Sequence, residues 1–253
     1  MERLGTILSL LSVGLVATLL PILLWRRLVH KFPLFFIYVI SSLFSSILRF
    51  SVSGNYQLYF RIFWATEALY AVLALLALYE AFHDVFILDY EAWPWFWMVF
   101  PGAVLMLSTI FVGHALLYPP TGVPPLIALI LSFETVVNCV KGGLLVMFLS
   151  LAWLLGGESW LTYPYGVVLG FAVSSFGSLL SYWLYSFFGT RLHWLGKYGP
   201  PMSYIVAVLI WIASCFLPPE PKDRWHNFDD PEKALATVRQ YVRALRWIAE
   251  KDR

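Results

Sequence analysis

Long apolar runs alternate with short polar breaks along most of this chain. A helix needs about 20 consecutive apolar residues to cross a bilayer. Seven blocks approach that length: 4–25, 33–50, 60–82, 95–117, 125–154, 164–188 and 201–217. The second and seventh are short for a crossing, and the fifth is long enough to tilt. Proline suits the first turn of a helix, where its missing N–H costs nothing. Pro33, Pro94, Pro124 with Pro125, Pro164, and Pro200 with Pro201 all stand at predicted starts. Aromatic residues flank the blocks as an interfacial belt would, among them Trp93, Trp95 and Trp97, then Trp160 and Tyr163, then Trp194 and Tyr198. Pro101 and Gly102 fall inside the fourth block and predict a kink there.

The pattern changes after Leu217. Asp229 or Asp230 can cap a helix whose first turn holds Pro231. Leu235, Val238, Val242, Leu245 and Ala249 then recur at alternating spacings of three and four. This predicts an amphipathic helix over about 231–249, lying on the membrane surface or docking a protein partner through Leu235, Val238, Val242 and Leu245. The expected organisation is all-α: a polytopic membrane domain of about seven transmembrane helices over 1–217, followed by a cytoplasmic tail over 218–253.

Composition supports the same class. Of 253 residues, 60% are hydrophobic and 13% charged, with a mean hydropathy of +0.74. A soluble domain carries about 25% charged residues, so this chain has too little polar surface to coat a globule in water. The bilayer is therefore its expected partner. The first apolar stretch is longer than the roughly 7–15 residues of a signal-peptide core, which reads as an uncleaved first span. The net charge of +2 comes without a basic face, so nucleic acid is not an expected partner. Cys139 and Cys215 both lie within apolar runs and predict no disulfide. Eleven basic residues lie in the first loop and the tail, against five in the segments on the other side. The positive-inside rule then places the N-terminus outside and the C-terminus in the cytoplasm, in a plasma or bacterial inner membrane.

The candidate chemistry sits in the spans. A charge at membrane depth costs about 2.5–3.5 kcal/mol on insertion scales and usually marks a function. Glu134, Asn138 and Lys141 share one face of the fifth span, since residues three, four and seven apart are co-facial. Glu134 and Lys141 are about 10 Å apart along the axis, and Asn138 is expected to bridge them, with Lys141 as the counter-charge of Glu134. In the third span Glu67 is deep enough to need a partner, and Arg49 and Arg61 are the candidates. His114 lies at a similar depth in the fourth span. Together Arg49, Arg61, Glu67, His114 and Glu134 predict a polar cavity in the outer half of the bundle, with Asn138 and Lys141, the latter just below the midpoint, completing a buried polar network. In the sixth span Gly166, Gly170, Ser174 and Ser178 form a small-residue ladder, which predicts close helix packing. Ser41, Ser42 and Ser45 align with Ser174, Ser175 and Ser178, a short echo of the kind a parallel internal repeat leaves.

The five histidines lack metalloprotease or haem-attachment spacing, and no phosphate-binding loop or nucleophile elbow occurs. No catalytic residue, metal or cofactor is therefore expected. The favoured expectation is a sensor or receptor that binds an unknown small ligand in the outer cavity and couples to a separate partner through its tail. A small-solute or ion transporter with a path along the fifth span is an alternative, as is a structural subunit of a membrane complex.

Overall fold

The computed structural model describes residues 2–52, 54–118, 125–154, 162–188, 193–217 and Arg239. Among these residues the protein is all-helical, with no strand. The long helices are α1 (Glu2–Trp25), α3 (Pro33–Ser51), α4 (Tyr56–Val85), α6 (Val99–Leu117), α7 (Pro125–Leu154), α8 (Tyr163–Phe188) and α9 (His193–Ser214). The short helices α2 (Leu28–Lys31) and α5 (Ile87–Ala92) and a 3₁₀ turn (Phe96–Met98) join them. Six of the long helices, all but α9, are long and apolar enough to cross a membrane. Their apolar side chains, such as Phe44, Leu105, Leu129 and Leu180, cover much of the exterior. In water such a surface would associate, and in a bilayer it faces its own solvent.

Two proline expectations change. Pro101 is the third residue of α6, where the first-turn N–H groups have no intrahelical partner anyway, so it costs the helix no backbone hydrogen bond. Pro200 and Pro201 lie inside α9, which begins eight residues before the expected 201. They leave the carbonyls of Gly196 and Lys197 without the backbone donors that a regular helix would return. The helix continues N-terminally past them because Gly199 packs on Ser181 of α8 and Tyr198 is buried, its ring beside Gly5 of α1. The predicted tail helix over 231–249 lies outside the described residues, apart from Arg239, which is helical.

Among the described residues α8 and α9 pack most extensively. They run antiparallel with glycine at successive crossings: Gly166 faces Ser214, Gly170 faces Trp211, Gly177 faces Ser203, and Gly199 faces Ser181. A Cβ on Gly170 would lie 2.0 Å from Trp211 Nε1, and one on Gly166 would lie 2.1 Å from Ser214 Cβ. Close backbone approach at small residues replaces the hydrophobic drive that lipid cannot supply. Gly142 and Gly143, next to Lys141, bring α7 against Phe176 of α8 and Leu107 of α6.

The bundle has two unlike halves. In one, aromatic rings interlock: Phe35 meets Phe171 and Trp211, and Phe86 meets Phe96 and Phe148. This half also holds Glu80, whose carboxylate caps the start of α3. It accepts the Leu34 N–H at 3.0 Å and the Phe35 N–H at 2.9 Å. An N-terminal cap of this kind contributes about 1 kcal/mol, and here it also ties α4 to α3. Lys31 pairs with Asp84 at 3.1 Å one turn further along. The other half is polar and hollow.

Candidate functional site

The hollow half encloses a partly open cavity of about 370 Å³. Six helices reach it: the N-terminal halves of α1, α4, α7 and α9, and the C-terminal halves of α3 and α8. This places the cavity at the end of the bundle that holds the start of α1. Its depth is set by α7, where Lys141 is near the helix midpoint and Glu134 lies about 10 Å from it toward the N-terminal end.

The structure brings five of the predicted polar residues to this cavity: Arg49, Glu67, Glu134, Asn138 and Lys141. Arg49 Nη2 pairs with Glu67 Oε1 at 2.9 Å. The same guanidinium donates from Nε and Nη2 to Thr66 Oγ1, at 2.9 and 2.6 Å, and lies 4.7 Å from the centre of the Phe63 ring. Thr66 can accept because its own proton turns back to the carbonyls of Ile62 and Phe63. The fork shape of arginine allows this combination of ion pair, hydrogen bonds and stacking.

Arg61 does not partner Glu67. Six residues on a helix turn it through about 240°, and Arg61 is exposed. His114 is exposed too, with its ring 5.1 Å from that of Tyr118, the residue that caps the end of α6. Neither lines the cavity.

On α7 the expected bridge through Asn138 is absent: among the described residues Asn138 makes no hydrogen bond to Glu134 or Lys141. Tyr182 of α8 donates its hydroxyl to Glu134 Oε2 instead. Lys141 is 9% exposed and lines the cavity. It makes no ion pair or hydrogen bond among the described residues, although the charges of Glu67 and Glu134 both act on it. The site thus holds two cations and two anions, of which only Arg49 and Glu67 are joined.

Tyrosines form the floor. Tyr38 donates to Tyr70, and Ser42 shares a hydrogen bond with Tyr204 at 2.7 Å. Tyr38 packs in turn on Phe171 and Trp211, so the polar layer rests directly on the aromatic half. Ser174 and Ser178 of the small-residue ladder face the cavity, while Gly166 and Gly170 face α9. Ser45 and Ser178, equivalent positions in the serine echo, both line the cavity.

Tyr182 was missed by sequence reasoning, although it extends the ladder of Ser174 and Ser178 by one further step of four. Tyr70 and Tyr204 gave no comparable signal, since a tyrosine within an apolar run reads as core.

The chain matches no protein-family model, no curated protein and no solved structure.

Proposed function

We propose that this is a multi-pass membrane protein of sensor or receptor type that takes up a small polar solute in the cavity. One observation carries the reading: charged groups from α3, α4 and α7 converge on one ligand-sized space, and one of the cations, Lys141, has no partner there. A helix brace would pair such charges and close the space around them, because a buried charge without a partner is costly. Ligand sites are commonly spaces of about 300–1,000 Å³ with a few convergent polar groups. The aromatic packing beneath the floor favours a site reached from one side over a path through the bundle.

In this reading α9 is a seventh span. It pairs with α8 from Gly166–Ser214 at one end to Ser181–Gly199 near the other, so it shares the depth of a helix that is apolar enough to cross. Seven spans put the start of α1 and the tail on opposite sides, and the basic residues place the tail in the cytoplasm. A reporter active only outside the cell, fused after Leu217, should be inactive; high activity would invert the orientation.

A second reading, a solute carrier, is favoured by the Pro200–Pro201 pair at the cavity wall. Interrupted helices beside a mid-membrane site are a transporter device. Proteoliposomes separate the two. A sensor binds solute at equilibrium but does not fill the vesicle lumen with it, whereas a carrier does. If a broad panel of amino acids, sugars, polyols, amines and carboxylates shows neither binding nor uptake, solute recognition at this site is rejected.

A further inference from the structure

We infer that the solute is a small zwitterion of amino-acid size, with its carboxylate on Lys141 and its ammonium on Glu134. The inference rests on the proposed solute-binding role of the cavity and names the chemistry that the cavity would select.

The groups already committed leave a short remainder. Arg49 is occupied by Glu67, Thr66 and the Phe63 ring. Glu134 gives one carboxylate oxygen to Tyr182 and keeps the other. Lys141 keeps all three N–H donors. Glu134 and Lys141 are about 10 Å apart along one face of α7. Both side chains lean toward the N-terminus, so only the greater length of the lysine shortens that gap, and the two form no ion pair. The remaining space suits a molecule whose own opposite charges are a few ångströms apart.

Charge and hydrogen-bond polarity narrow the choice further. The four charged side chains sum to zero, so an ionic ligand with a net charge would leave the cavity unbalanced in a medium that penalises this heavily. A ligand with no charged group would leave the lysine ammonium and the glutamate without an opposite charge in direct contact. The wall hydroxyls favour a donor-rich head group: Ser12, Ser46 and Ser178 each spend their proton on a carbonyl of their own helix, leaving lone pairs for the ligand. Such a wall suits an ammonium better than a polyol, which needs donors and acceptors together. Asn138 adds a side-chain amide that can donate beside Lys141.

The test uses the full-length protein in lipid nanodiscs and calorimetric or scintillation binding. The ligands are alanine and its two truncated forms, ethylamine and propionate, with glycerol and glucose as neutral probes. Alanine should bind at least tenfold more tightly than any of the others. Lys141→Met should weaken alanine at least tenfold while leaving ethylamine nearly unchanged. Glu134→Gln should weaken alanine and ethylamine but spare propionate. The comparison among ligands on the unmodified protein stands even where a variant folds poorly. Ethylamine, propionate, glycerol or glucose binding as tightly as alanine, with competition between them, overturns the zwitterion assignment and leaves the solute-binding reading intact. No binding by any of the five overturns the assignment, and failure of the wider panel overturns the underlying reading as well.

Discussion

Replacing Gly170 with alanine should lower the thermal stability of the purified protein sharply. The added Cβ would stand 2.0 Å from Trp211 Nε1 and 2.6 Å from two further indole atoms. No flexible side-chain end is available to move aside, because the contact is with the body of a rigid ring. The indole is also held in place: its N–H donates to the Val167 carbonyl at 3.1 Å, and Phe35, Tyr38 and Phe171 pack around it. Overpacking a filled site costs about 1–3 kcal/mol, and a buried donor left without its acceptor costs about 1–3 kcal/mol more. A combined loss of about 3 kcal/mol is expected if α8 and α9 separate enough to admit the methyl group. Gly14→Ala is the control, since nothing lies within 4 Å of a Cβ there. Thermal unfolding in detergent, followed by tryptophan fluorescence, compares the two. If the two variants melt together, the close α8–α9 approach is wrong.

The positions of the long helices were legible because membrane crossing is a demand on length and hydropathy alone. Pro125–Leu154 emerges with its expected bounds, and Pro33 and Tyr163 fall at or next to expected starts. The start of α9 was misread because Pro200 and Pro201 look like a boundary. What carries the helix past them is tertiary: Gly199 meets Ser181 and Tyr198 is buried, neither of which is visible in α9 alone. The site divides in the same way. Co-facial spacing grouped Glu134, Asn138 and Lys141, and all three line the cavity, because that grouping is a property of one helix. The partner of Glu134 is Tyr182, on another helix. The partner of Glu67 is Arg49 rather than Arg61 for the same reason: pairing depends on how α3 faces α4, and depth alone could not separate the two arginines. His114 was grouped with the cluster by depth, but its azimuth on α6 turns it away.

Glu67→Ala should be the most damaging single change in the polar half, and adding Arg49→Met should restore most of the loss. Removing the carboxylate leaves the Arg49 guanidinium with only the Thr66 hydroxyl and the Phe63 ring. Stranding one charge of a buried pair typically costs 3–5 kcal/mol. The side chains here are 24% and 25% exposed, beside the cavity, so the lower end applies and about 3 kcal/mol is expected. Replacing both partners by apolar groups removes the desolvation penalty along with the attraction, and the double variant should unfold close to the unmodified protein. A double-mutant cycle in a denaturing detergent titration measures this coupling, which is specific to contacting residues. Additive effects would show that the pair does not exist as described. The same double variant separates bracing from recognition. If Arg49 and Glu67 only hold α3 to α4, a stable double variant keeps its solute affinity, because Lys141 and Glu134 remain. If it folds normally and loses that affinity, the pair itself meets the solute, and the free charges on α7 are not sufficient for binding.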